Sequence, residues 1–344
     1  MVTHNTEKQQ GVWLQKAFTL LVFFPLVWFL NPEKVLLLYI VLGHAHFGLT
    51  YWYQFKGGRV KANFVTLFNY MALLAGLFWC AYHHPTALVT FASIFFIVHY
   101  YLDEFKMNQE RLHFGAFALV IPLVFLLFVG LYVHERTARG FYATSQVGAY
   151  LQTWDFYLGH HPMVLDFLAK VPSDMALNLY WPWVFGLAAW AVIYYAVEVY
   201  TSKKIAWAQL YILLVTAIAI SMLWVGNLRH VTSIFGLIIL SHYAHWYLSA
   251  YQKLRQFAPQ KLPAYFKQVV LANVLVLGLY AYTAYLPHGP LAWEIDRWGF
   301  NFHAFMVWTV MHLITTLRAD DYKTLFGRLG EKAVLGVQTF TRFR

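Results

Sequence analysis

Long apolar runs separated by short polar breaks make up most of this chain. The runs lie near 12–30, 35–55, 62–82, 86–105, 113–134, 178–200, 205–226, 231–251, 267–286 and 301–318. An α-helix rises about 1.5 Å per residue, so about 17–25 residues cross a hydrocarbon layer about 30 Å thick. Every run has that length. The pattern predicts an all-α protein: a polytopic bundle of about ten transmembrane helices forming one domain over residues 1–318.

The polar breaks orient the bundle. With the N-terminus inside, only Lys34, Arg136, Arg139, Lys170, Arg229 and Arg297 of the 25 basic residues fall on outer segments. Short cytoplasmic loops collect Lys and Arg, so both termini are expected to be cytoplasmic. The first run is expected to remain as a span. Asn31-Pro32-Glu33-Lys34 follows it, where a cleavable leader would carry small residues. Residues 135–177 form a long extracytoplasmic segment, in which 162–171 reads as an amphipathic helix lying on the surface. Pro287-His288-Gly289-Pro290 is turn chemistry. Residues 319–344 are a basic amphipathic tail suited to an anionic inner leaflet.

Composition agrees with this reading. Of 344 residues, 60% are hydrophobic and 12% charged, where soluble domains carry roughly 25% charged residues. Mean hydropathy is +0.51. The net charge of +10 follows the loop asymmetry, so it is assigned to orientation against membrane lipids, and no nucleic acid is expected as partner. The single cysteine, Cys80, can form neither an intrachain disulfide nor a cysteine-based zinc or iron–sulfur site. No Walker-type glycine loop and no dinucleotide fingerprint occurs.

The candidate chemistry lies in polar residues inside the apolar runs. His44 and His46 fall in span 2, His99 and Asp103 in span 4, His242 and His245 in span 8, and His312 in span 10. These even-numbered spans all run from outside to inside. Most of the groups sit roughly 9–16 Å from the inner helix end, with Asp103 nearer the surface. His99 and Asp103, at i and i+4, lie about 40° apart around a helix. His242 and His245, at i and i+3, lie about 60° apart. Both pairs can face one ion or a pair of ions. His44 and His46 are about 200° apart, so His46 is the expected ligand and His44 an alternative. A lone intramembrane histidine is more often a hydrogen-bonded packing residue. An aspartate in the bilayer interior costs about 2.5–3.5 kcal/mol on insertion scales. Several such groups at one level point to a shared cause, and metal coordination satisfies imidazole and carboxylate lone pairs together.

Tyr51, Trp52, Tyr100, Tyr101, Tyr243 and Trp246 flank these histidines. They read either as a pocket for a hydrophobic or lipid substrate or as an interfacial aromatic belt. His83, His84, His160, His161, His230, His288 and His303 lie near the outer face and read as interfacial. Glu198, near the inner end of span 6, either joins the main site or pairs with Lys203.

His44, His46, His99, Asp103, His242 and His245 give the chain a layout that resembles the histidine-rich polytopic membrane oxygenases. These are the fatty-acid desaturase and hydroxylase class and the bacteriorhodopsin-related-protein type of carotenoid dioxygenase. The HxxxH and HxxHH boxes of the former and the His-Gly-x-x-Asp-His signature of the latter are absent. The resemblance implies a metal-dependent oxidoreductase, with one iron or a di-iron pair, using O₂ on a lipid or other apolar molecule. A separate reductase docking at the basic cytoplasmic face would supply electrons. Two other readings use the same histidines: a membrane electron-transfer protein with haem b on two axial imidazoles, and a proton or metal transporter.

Overall fold

The structure is a computed structural model and describes residues 2–30, 32–57, 64–108, 110, 118–126, 173–226, 230–285, 290–300 and 302–316. Among these residues all regular secondary structure is helical, with no strand. The helices are α1 (Val2–Phe29), α2 (Pro32–Lys56), α3 (Phe64–His83), α4 (Pro85–Asn108), the single turn α5 (Ile121–Val124) and α6 (Ser173–Ser202). They continue with α7 (Trp207–Val225), α8 (Val231–Phe257), α9 (Leu262–Tyr285), α10 (Pro290–Ile295) and α11 (Phe302–Thr316). A 3₁₀ turn (Pro259–Lys261) precedes α9, and a π-helical turn (Asp296–Phe300) links α10 to α11. The expected interfacial helix at 162–171, most of the fifth span and the basic tail lie outside the described residues.

Among the described residues, five segments are long and apolar enough to cross a membrane: Gln10–Phe29, Phe64–His83, Asn178–Ser202, Trp207–Val225 and Pro259–Thr283. Ala304–Thr316 is a shorter apolar helix. Helices α2, α4 and α8, of 25, 24 and 27 residues, are also long enough to cross.

Burial is inverted relative to a water-soluble protein. Phe64, Leu67, Phe68 and Met71 of α3 are exposed, as are Val270, Leu271, Val274 and Leu275 of α9. Lys16, Glu104, Gln209, His242 and His245 are buried. Apolar faces this large are incompatible with water and suit a lipid solvent. Buried threonines return their hydroxyls to the backbone carbonyl one turn earlier, as Thr216 does to Ile212 and Thr309 to Phe305, which satisfies the hydroxyl without water.

The chain divides into two compact units, 1–36 with 100–245 and 37–99 with 246–344. The divisions fall inside α2, α4 and α8, so these three helices contribute to both. In the first unit α7 is the most enclosed span, with half of its apolar window buried. Trp13 of α1 meets Trp207 with ring centroids 5.8 Å apart. The Tyr180 hydroxyl donates to the Leu126 carbonyl at 2.8 Å. Gly236 of α8 lies so close to α2 that a Cβ there would come within 2.1 Å of Val35 Cγ1. A small residue is what permits this approach. Helix α6 ends at Lys203, whose φ of 56° lets its N–H reach the Val199 carbonyl at 2.9 Å.

In the second unit α11 packs along α3. Phe78 meets Trp298 edge-on at 4.8 Å, and the Trp308 indole N–H donates to the Trp298 carbonyl at 2.9 Å. Tyr53 of α2 donates to Gln268 of α9 at 2.9 Å, and Tyr265 donates to the Tyr247 carbonyl at 2.8 Å. These bonds tie α2, α8 and α9 together beside the histidines of α2.

Candidate metal centre

The division between the units passes between His99 and Tyr100, so His99 and Asp103 stand one turn apart on the continuous helix α4. In the first unit α4 faces α8, with the rings of Tyr100 and His242 6.0 Å apart. Ligand atoms of His99, Asp103 and His242 all lie within 4.8 Å of one another. His99 and His242 are 4% and 1% exposed, while Asp103 is half-buried. First-row metals bind imidazole nitrogen and carboxylate oxygen at about 2.0–2.2 Å, so two ligands of one ion stand about 3–4.4 Å apart. The three donors are near that spacing and need only small side-chain rotations to share an ion. Two imidazoles and a carboxylate suit iron, zinc, copper or manganese. The donor set therefore fits a metal.

The second unit carries its own histidine group. His46, 1% exposed, has its ring 4.8 Å from that of His312, and His312 lies 5.4 Å from His99. Phe47 stacks on His312 at 4.7 Å, and Trp246 meets His46 edge-on at 4.7 Å. The roughly 200° separation expected for His44 and His46 is realised. His46 turns into the histidine group. His44 donates from Nδ1 to the Ile40 carbonyl at 2.8 Å and packs against Phe300 and Phe305. His44 is thus a hydrogen-bonded packing residue of the α10–α11 junction.

His245 does not belong to the three-donor group. Its Nδ1 donates to Glu104 Oε1 at 3.1 Å, and Glu104, wholly buried, forms an ion pair with Lys16 of α1. The Lys16 ammonium also donates to the Glu104 carbonyl at 3.3 Å and stands 5.4 Å above the Tyr211 ring. Asp103 stands out in the sequence by its i+4 relation to His99, whereas Glu104 lies one position and 100° further round the helix. Lys16 lies within the first apolar run, near 12–30. A lysine inside an apolar run was the available signal, but its partner lay 88 positions away.

Of the expected pocket aromatics, Tyr100, Tyr101 and Tyr243 are buried, and Tyr51 lies 6.3 Å from the His312 ring. Trp246 borders His46. Trp52 is 47% exposed with Phe55 as ring neighbour, and so belongs to the outer aromatic surface. Glu198 accepts from Gln209 Nε2 at 2.8 Å, while Lys203 sits 4.0 Å above the Tyr200 ring. Glu110, just beyond the end of α4, accepts the backbone N–H of Ala208 at 2.9 Å. Burial pushes its carboxyl up to about 7, against the opposing pull of the Ala208 and Trp207 N–H groups and Lys16. His83 and His84 flank Trp79, and His230 stacks on Trp28 with centroids 4.0 Å apart, so these outer histidines have aromatic packing roles. His160, His161 and His288 lie outside the described residues, as does the side chain of His303.

No protein-family model matches this chain, and comparison with curated proteins and with solved structures finds none that matches.

Proposed function

We propose that this chain is an integral-membrane, metal-dependent oxidoreductase acting on a lipid or other hydrophobic substrate. The observation that carries this reading is the convergence of donor atoms from His99, Asp103 and His242 within 4.8 Å, set in a framework whose outward faces are apolar. In this reading about ten helices span the membrane, and the charge asymmetry of the loops places both termini in the cytoplasm. His99, Asp103 and His242 would hold the metal, with His46 and His312 as further imidazole donors. Iron bound there would supply O₂ activation. The chain's own residues do the rest. Tyr51 and Trp246, beside His312 and His46, would give the substrate an apolar surface, and burial keeps bulk water from the reacting bond. A reductase at the basic inner face would deliver electrons.

Proton or metal transport is the second reading. It is favoured by the buried Lys16–Glu104–His245 series, because ionisable groups in apolar helices commonly mark ion paths.

The deciding experiment is metal content with an optical spectrum on purified, detergent-solubilised protein. About one or two irons per chain without a haem band supports the oxidoreductase. A haem band reassigns the histidines to axial ligation of haem b. Protein that holds neither metal nor haem, and takes up no added iron, rejects the proposal in favour of transport.

A further inference from the structure

We infer that ordered water binds along a polar seam between α1, α4, α7 and α8, running from the first turn of α7 inward to His245. The seam lies wholly within the first unit and does not depend on the metal-site reading.

Five buried polar atoms there have no hydrogen-bond partner among the described residues. They are Trp13 Nε1 on α1, Trp207 Nε1 and the Tyr211 hydroxyl on α7, and Ser241 Oγ and His245 Nε2 on α8. Tyr211 and Ser241 are 0% exposed and His245 is 2% exposed. Buried polar groups in folded proteins nearly all find a partner, and in an apolar interior an unmade hydrogen bond is costly. Ser241 also departs from the habit of the buried threonines. Thr50, Thr216 and Thr309 each return the hydroxyl to the carbonyl four residues earlier. A serine can make the same bond, but Ser241 does not, so its hydroxyl is available to another partner.

Contacts between neighbouring side chains join these positions. Trp13 meets Trp207 with ring centroids 5.8 Å apart. Lys16, one turn along α1 from Trp13, stands 5.4 Å above the Tyr211 ring. Tyr211, one turn along α7 from Trp207, lies 5.3 Å from the His245 ring. Ser241 precedes His245 by one turn on the same face of α8. Residues 201–205, just before α7, are exposed, so the seam starts beside the surface.

The donor and acceptor set selects the ligand. An indole N–H only donates, a hydroxyl donates and accepts, and His245 Nε2 does one or the other according to which ring nitrogen carries the proton. Water meets each of these needs, whichever way His245 is protonated. An anion could only accept, and a metal cation could take nothing from the indoles. Lys16 and Glu104 already neutralise one another, so a further ion would stand uncompensated in an apolar bundle. A buried water makes about two to four hydrogen bonds, which adjoining members of this set can supply.

Hydroxyl-radical footprinting of the full chain in detergent, by X-ray radiolysis in water enriched in heavy oxygen, is the test. Radicals form where water sits, so a bound water marks the side chain beside it. Tyr180 is the internal control: it is as buried as Tyr211, but its hydroxyl donates to the Leu126 carbonyl at 2.8 Å. In wild type, Tyr211 should take up heavy oxygen several-fold faster than Tyr180. Ser241→Val fills the space beside the hydroxyl and removes a polar partner. With helical content unchanged by circular dichroism, it should bring Tyr211 down towards the Tyr180 rate.

Tyr211 oxidised no faster than Tyr180 in wild type would overturn the inference without any variant having to fold. Undiminished Tyr211 oxidation in folded Ser241→Val would also overturn it, because Ser241 would then lie outside the hydrated set.

Discussion

The backbone N–H of Ala208 donates to Glu110 Oε1 at 2.9 Å, so a carboxylate 98 positions earlier in the chain caps the first turn of α7. The residue at the cap position, Ala206, has no side chain able to do this. The aligned N–H groups at a helix start favour a negative charge, while burial of Glu110 opposes it. Burial prevails, and the group is pushed up to about 7 from 4.5.

This sets a pH dependence. The groups facing Glu110 are Lys16 of α1, Tyr101 of α4, Glu198 and Tyr195 of α6, and the start of α7. A carboxyl raised in the folded state binds more protons folded than unfolded. Its contribution to stability is complete below pH about 4.5 and is lost as pH rises through about 7. Glu110→Gln keeps the acceptor oxygen and removes the titration. Thermal unfolding in detergent between pH 5 and pH 8.5 should therefore fall less steeply for Glu110→Gln than for wild type. Glu110→Ala should lose about 1 kcal/mol with the cap at low pH as well. Parallel wild-type and Glu110→Gln curves would contradict the assignment.

Lys16 and Glu104 are each at most 3% exposed. Removing one partner strands the other charge in an apolar interior. Lys16→Met alone is expected to cost about 3–5 kcal/mol. Lys16→Met combined with Glu104→Gln should cost less than the two single changes added together. A double-mutant cycle in a denaturant titration measures this, and strict additivity would argue against the pair.

Replacing His99, Asp103 or His242 by alanine should remove bound metal while helical content by circular dichroism is kept. His44→Ala should leave metal content unchanged, because its Nδ1 is committed to the Ile40 carbonyl. Metal analysis of the four purified variants side by side checks both halves of this expectation.

At Gly236 the backbone of α8 passes Val35, a side chain with no exposed surface. Gly236→Ala drives a methyl into a β-branched side chain that has nowhere to turn. A loss of about 1–3 kcal/mol is expected, visible as a lower unfolding temperature. Adding Val35→Ala should recover part of it. Gly186→Ala, whose new methyl meets nothing within 4 Å, serves as the neutral control.

The helical class was legible from sequence because run length and polarity are local properties. So was the exceptional status of His46, His99, Asp103, His242 and His312, since a polar group in an apolar run declares its cost without knowledge of its neighbours. The facing of His46 against His44 followed from helix geometry alone. Tertiary structure decided the partnerships. Glu104 pairs with Lys16 across 88 positions, Glu110 caps a helix across 98, and Glu198 accepts from Gln209. It also decided that His245 meets a carboxylate, and that Trp52 turns outward while Trp246 borders His46. Periodicity gives the face on which a residue lies. Which helix meets that face depends on packing between segments far apart in the chain, and no local pattern encodes it.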